Sequence, residues 1–88
     1  MEAEKPKETA ASRVWVENRR VCLELEDERV VSFPASKYPL LVKAPQNLLE
    51  KVTLRLNGLA LRWEELDEDI LVDDAVSERF PHFKQLAA

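Results

Sequence analysis

From Arg13 onward, apolar and polar residues alternate. Val14, Val16, Val21, Leu23 and Leu25 share one face of a β-hairpin if Asn18-Arg19 is a two-residue turn. The same register sets Glu17 opposite Arg20 and Arg13 opposite Glu24, while Val16 meets Val21 and Val14 meets Leu23. One pairing satisfies both faces, and it predicts the hairpin. Asn18 tolerates a positive φ; Arg19 tolerates it less well and is the weak point of the turn. A three-residue loop at Asp27-Glu28-Arg29 leads into Val30-Val31-Ser32-Phe33, with Val31 expected opposite Leu25 and Phe33 opposite Leu23. A two-residue loop would set Ser32 against Leu23 and bury its hydroxyl, at a cost of about 1–3 kcal/mol without a partner. The loop calls for a left-handed residue near position 28, where Glu28 stands instead of a glycine.

Pro34 stops that strand. Pro39 suits the first turn of a short helix over Pro39–Ala44, which Pro45 ends, and Leu48 and Leu49 cap the sheet from a further short turn. Val52 to Glu64 forms a second hairpin around Asn57-Gly58, both positions of which require φ > 0 in a type I′ turn. Its register pairs Leu56 with Leu59, Leu54 with Leu61, Val52 with Trp63, and Lys51 with Glu64. Gly58 is the only glycine in the chain. Ile70-Leu71-Val72 is a short last strand, and Asp73 or Asp74 N-caps a terminal helix reaching Phe80, before Pro81. The fold class is α+β: a small antiparallel sheet of five or six short strands with one or two short helices. Residues 1–12 read as a flexible tail, 13–80 as a single domain and 81–88 as a loose end.

Composition narrows the function. Of 88 residues, 45% are hydrophobic and 34% charged, with a net charge of -4, so a folded domain is expected and nucleic acid is not the default partner. A single cysteine excludes an internal disulfide and a multi-cysteine zinc site, in keeping with a reducing cytoplasm. No apolar run is long enough to span a bilayer, and the start lacks the apolar core of a signal peptide. The chain reads as soluble and cytoplasmic.

The second hairpin and its sequel also carry a family resemblance. Val14 to Val76 resembles the bacterial domain of unknown function 2442 family. The resemblance runs through the strand-turn-strand ending in Arg29, then Pro34, Tyr38-Pro39, Leu41 and Ala44. It is strongest at Gly58, Trp63 and Leu66-Asp67-Glu68-Asp69-Ile70 with Val72. The chain departs from the pattern at Glu28, where the family usually has glycine, and at Asp73-Asp74-Ala75-Val76, where it usually has Glu-Gly-Leu-Leu. The resemblance implies the partnering of small basic toxin-like proteins encoded in paired genes. Some such domains carry a C-terminal helix-turn-helix, for which this chain has too few residues after Val72. The resemblance brings no catalytic residues with it.

No nucleophile–base pair, phosphate loop or histidine metal set is visible; Cys22 and His82 lie far apart in sequence, and no cofactor or metal ion is expected. The strongest chemical signal is acidic: Glu64, Glu65, Asp67, Glu68, Asp69, Asp73 and Asp74 place seven acids in eleven residues. Their spacing does not fit a Ca²⁺ loop. Either they form a solvated corner, with Asp67 and Asp69 fixing the turn through backbone amides, or they meet a basic protein. Trp63 is expected in the core, while Trp15, opposite Cys22, belongs to the other face of its hairpin: an exposed patch or a site buried under the crossover. The leading expectation is a non-catalytic interaction module, antitoxin-like or adaptor, that binds a small basic protein and acts by occlusion. Its contact residues are Glu65, Glu68, Asp73, Asp74 and an exposed Trp15, and Gly58, Trp63, Asp67 and Asp69 are structural. Two other readings stay open. One is a dimeric DNA-associated regulator presenting Arg13, Arg19, Arg20, Arg55 and Arg62 on one face. The other is a subunit of a larger assembly, homo-oligomeric or mixed, joined through an exposed sheet edge.

Overall fold

The structure, a computed structural model, describes residues 9–83. Within them, six strands make two three-stranded antiparallel meanders. The first holds β1 (Ala11–Glu17), β2 (Arg20–Leu25) and β3 (Val30–Pro34); the second holds β4 (Thr53–Arg55), β5 (Ala60–Trp63) and β6 (Glu68–Leu71). A 3₁₀ turn (Ala35–Lys37) and the one-turn helices α1 (Pro39–Val42) and α2 (Gln46–Leu49) connect the sheets. A second 3₁₀ turn (Glu64–Leu66) joins β5 to β6, and α3 (Val72–Val76) follows. The arrangement is α+β, as the alternation predicted. No helix among the described residues is long and apolar enough to cross a membrane.

Period-two alternation gives each sheet one apolar face, and both faces feed one core. Val21, Leu23 and Phe33 come from the first sheet, Leu61, Trp63 and Ile70 from the second, and Leu41, Leu49, Val72 and Ala75 from the helices. Trp63 is 1% exposed, and its indole N–H donates to the Leu49 carbonyl at 3.0 Å, so the crossover is tied to β5 through the largest core side chain.

The β1–β2 hairpin has the predicted register: Val14 faces Leu23, Val16 faces Val21, Glu17 faces Arg20, and Arg13 pairs with Glu24 at 2.8 Å. Asn18 and Arg19 both take positive φ (49° and 64°). The side chain of Arg19 accounts for a non-glycine residue there. Its guanidinium donates to the Ala44, Leu41 and Val42 carbonyls, which lie at and beyond the C-terminal end of α1. Helix-end carbonyls lack intrahelical donors, and here one cation at the hairpin tip supplies them.

Four expectations need correction. The β2–β3 register differs by two residues: Leu23 faces Val31 and Val21 faces Phe33, because the loop is Glu26-Asp27-Glu28 with Glu28 left-handed (φ 75°). A two-residue slip preserves the face of every side chain, so the apolar pattern could not reveal it. In the second hairpin Leu54 faces Leu61 as expected, yet Leu56 does not pair with Leu59. The turn widens so that Leu56, Asn57 and Gly58 all take positive φ, leaving Leu56 67% exposed. The terminal helix ends at Val76 instead of Phe80; Leu71 occupies its N-cap position, and Asp73 and Asp74 lie within the first turn. The N-terminal boundary also moves: β1 begins at Ala11, ahead of Arg13, and residues 1–8 and 84–88 of the expected tails lie outside the described residues.

Ala11 is buried because it meets Gly58. Its N–H donates to the Gly58 carbonyl at 2.8 Å, and a Cβ built on Gly58 would stand 2.2 Å from the Ala11 carbonyl oxygen. The neighbouring Leu59 carbonyl accepts from Val72 N–H at 2.8 Å. One turn thus anchors the first strand of one sheet and the last helix. Gly58→Ala is expected to cost about 2–4 kcal/mol in urea unfolding, through φ strain and the clash together. Arg19→Gly relieves the turn's backbone and still lowers stability by about 1–2 kcal/mol, since the Ala44, Leu41 and Val42 carbonyls lose the guanidinium, and among them only Leu41 keeps a backbone donor. A net stabilisation of that variant in the same titration would show that the clamp is energetically idle.

Candidate functional site

The acidic segment folds into a corner supplied with cations by its neighbours. Arg62, at the centre of β5, points to the outer face of the second sheet. Its Nη1 donates to Asp69 (2.7 Å), its Nη2 to Asp67 (2.9 Å) and its Nε to Glu64 (2.9 Å). Arg55 reaches Glu64 at 3.2 Å, and Lys51 pairs with Glu65 at 3.4 Å instead of with Glu64. In α3, Asp73 and Asp74 share Arg79 at 2.7 and 3.0 Å, and Asp73 also accepts from the Thr9 hydroxyl. Six of the seven acids therefore meet four cations, Glu68 having no ion pair among the described residues, and the seven carboxylates exceed those cations by three.

The chain builds this corner in steps. Asp67 closes the second 3₁₀ turn in the left-handed region (φ 51°), a conformation that aspartate tolerates better than most residues. Its side chain is 90% exposed, and its carboxylate meets Arg62, where a backbone amide was expected. Asp69 stands directly opposite Arg62 in the β5–β6 ladder, so that pair follows from register alone. The three carboxylates hold Arg62 firmly protonated. Asp73 lies below the usual carboxylate range, first because Thr9 donates to it and then because of Arg79.

The five expected contact residues occupy separate places. Glu65 lies beside Lys51, Leu48 and Trp63 around a hollow of about 330 Å³. Glu68 stands opposite Trp63, on the core-facing side of β6, and is half-buried. Asp73 and Asp74 are brought together by Arg79. Trp15 lies on the outer face of the first sheet, half-buried instead of exposed, with the Arg13 guanidinium 4.7 Å from its ring centroid. Cys22 behind it is buried, and burial pushes its thiol up. Gly58 meets Ala11, and Trp63 is buried in the core.

The five arginines of the DNA-binding reading likewise do not share one face. Arg13 is paired with Glu24, Arg19 holds α1, Arg20 donates to Ser32, and Arg55 and Arg62 belong to the second sheet. Sequence reasoning missed that the acids draw their cations from β4, β5 and the segment after α3. The Arg62–Asp69 pairing was open to discovery once β6 was started at Glu68. Among the described residues, no group of three or more His, Cys, Asp or Glu is placed to hold a metal ion.

Tyr38 is buried between Phe33 and Phe80, with ring centroids 5.4 and 5.8 Å away, and its hydroxyl has no hydrogen-bond partner. Burial, then the charges of Asp74 and Glu68, push it up to about 12. Glu68 is raised as well, by burial first and by Asp69 and Asp67, against one backbone amide that opposes the shift. A carboxyl with a raised folded-state pKa is a charge that folding disfavours. It weakens the fold at neutral pH, and the penalty fades as pH falls through the folded and then the unfolded pKa. Glu68→Gln is therefore expected to raise the melting temperature at pH 7 and to lose that advantage near pH 3. An unchanged difference between the two melting curves across that range would exclude the electrostatic cause.

The fold recurs in solved structures. The chain is similar to a protein of unknown function from Rhodospirillum rubrum, solved by crystallography, at 26% identity and a TM-score of 0.80 over 86% of this chain and 94% of that one. It is also similar in fold to the uncharacterised protein CV0863 from Chromobacterium violaceum, solved in solution, at 17% identity and a TM-score of 0.70 over 83% of this chain and 69% of that one. No curated protein matches. The profile of the protein family of unknown function DUF2442 matches residues 11–86, from the first residue of β1 onward, and the chain belongs to that family.

Proposed function

We propose that this chain is a protein-interaction module, and that the carboxylates on the outer face of its second sheet meet a basic surface of a partner. The supporting observation is the set held by Arg62. Glu64, Asp67 and Asp69 are exposed but fixed on strand and turn backbone, so little side-chain entropy remains to be lost on binding. The excess negative charge around them steers a cationic partner and sets its orientation. Glu65 lies at the margin of this face. Asp73 and Asp74, engaged by Thr9 and Arg79, contribute field more than contact. The mechanism is occlusion of the partner's surface, in a reducing cytoplasm that leaves the buried Cys22 thiol free.

The test is retention of partners from the native source by the immobilised chain at low and high ionic strength, beside an Asp67→Asn/Asp69→Asn variant. Asparagine keeps the left-handed turn, and a thermal melt checks the fold. A basic protein held at low salt, released at high salt and bound on the order of tenfold more weakly by the variant is the expected result. A partner indifferent to those two charges, or nucleic acid in its place, would refute the acidic-face reading.

A further inference from the structure

A second surface runs along the β3 edge of the first sheet and carries two cations. In the order β1-β2-β3, β3 is an edge strand. A cavity of about 320 Å³ touches Val31, Ser32, Phe33 and Pro34 in succession. Side chains of consecutive strand residues point to opposite faces, so a cavity touching all four must run along the strand's edge. Val76 and Phe80 line it as well, together with Arg20 and Lys37.

The backbone there is available. Leu25 N–H donates to the Arg29 carbonyl at 2.8 Å, and antiparallel ladders alternate from that bond. Val31 and Phe33 therefore direct their main-chain groups to β2, while Val30 and Ser32 direct theirs outward. The Ser32 carbonyl accepts from Arg20 Nη2 at 3.4 Å, which agrees with that direction. Val30 is 61% exposed beside this edge. Unpaired strand edges with apolar side chains recruit another strand, and proteins normally blunt them with charge.

The charges at this edge are mainly cationic. Arg13, Arg29, Lys51, Arg55, Arg62 and Arg79 all have carboxylate partners. Arg20 binds only Ser32, and Lys37 lies 5.7 Å from the Phe80 ring centroid, neither with a carboxylate partner among the described residues. Glu78 is the single acid lining the cavity. In a chain of net charge -4, two cations without a carboxylate partner among the described residues stand out beside an open edge.

We propose that this groove receives an extended acidic segment of a partner protein, laid antiparallel or parallel against β3. Main-chain groups of the segment bond to Val30 and Ser32, its carboxylates meet Arg20 and Lys37, and an apolar side chain enters between Phe33, Val76 and Phe80. Strand addition of this kind takes affinity from the backbone and selectivity from the flanking pockets. The cavity size is at the lower end of ligand sites, about 300–1,000 Å³, and suits a short segment. This contact goes beyond the acidic face, and either can fail without the other.

The probe is a blocked hexapeptide alternating acidic residues with valine and phenylalanine, added to the ¹⁵N-labelled full chain, beside its glutamine/asparagine and its lysine counterparts. Amide shifts centred on Val30 and Ser32, weakened roughly three- to tenfold by Arg20→Gln/Lys37→Gln and unaffected by Asp67→Asn/Asp69→Asn, would support the groove. Val30→Pro provides an independent check, since it removes an outward N–H without taking a ladder bond. Absence of shifts at millimolar acidic peptide, equal binding of the neutral or lysine peptide, or concentration-dependent shifts without peptide would overturn the proposal, the last in favour of a second copy at the edge. If the groove variants leave a basic partner's retention unchanged while the peptide fails to bind, the acidic-face reading survives and the groove does not.

Discussion

The approach of Gly58 to Ala11 is the contact on which the remaining architecture depends. Two three-stranded meanders have no shared ladder, so their relative position rests on what their faces bury and on the few backbone bonds between them. The shared core is non-directional and would tolerate sliding. The Ala11–Gly58 bond, with no room for a Cβ at Gly58, sets a fixed point, and the Val72–Leu59 bond next to it orients α3 over the join. A hairpin turn with three consecutive positive φ values is thus more than a connection: its widened shape presents the carbonyls of Gly58 and Leu59 to two different elements.

Charge is organised at shorter range than the chain order implies. Along the sequence, Glu64 to Asp74 reads as an unrelieved acidic run. In space, Arg62 sits among three of its members, and Arg79 returns from beyond α3 to two more. Exposed pairs of this type add little stability each, commonly below about 1 kcal/mol. Their effect is positional: they fix where the residual negative charge stands. At β3, Arg20 and Lys37 instead satisfy a hydroxyl, a carbonyl and a ring face, with no carboxylate partner among the described residues.

Period-two alternation made the two hairpins, the core faces and the register of β1 on β2 legible, because residue identity agreed with pairing on both faces. It could not see a slip of two residues, which leaves every face unchanged, and so it misplaced β3. Asn57-Gly58 announced a turn, but neither the extra left-handed residue at Leu56 nor the contact of Gly58 with Ala11, more than forty positions earlier in the chain, could be read from it. The family signature around Trp63 and Asp67 was readable, while the roles of Asp67 and Asp69 were not. Whether a carboxylate takes a backbone amide or a guanidinium depends on Arg62, whose direction follows from the β5–β6 register. Four of the five expected contact residues formed a run on paper, which the structure divides among Glu65, Glu68 and the Asp73–Asp74 pair, and Trp15 belongs to the other sheet.

The Arg19 clamp also bears on the order of events in time. A helix of four residues cannot persist alone, since nucleation fixes several residues for a single hydrogen bond. The carbonyls at the end of α1 find their donor 22 to 25 positions away, at the tip of a hairpin that needs only local contacts to form. Local pairs close early and distant ones late. The first hairpin is therefore the template and the crossover its follower, so the chain acquires α1 as a consequence of β1 and β2 having met, and the second sheet is delivered to its place by a connector that becomes rigid only then.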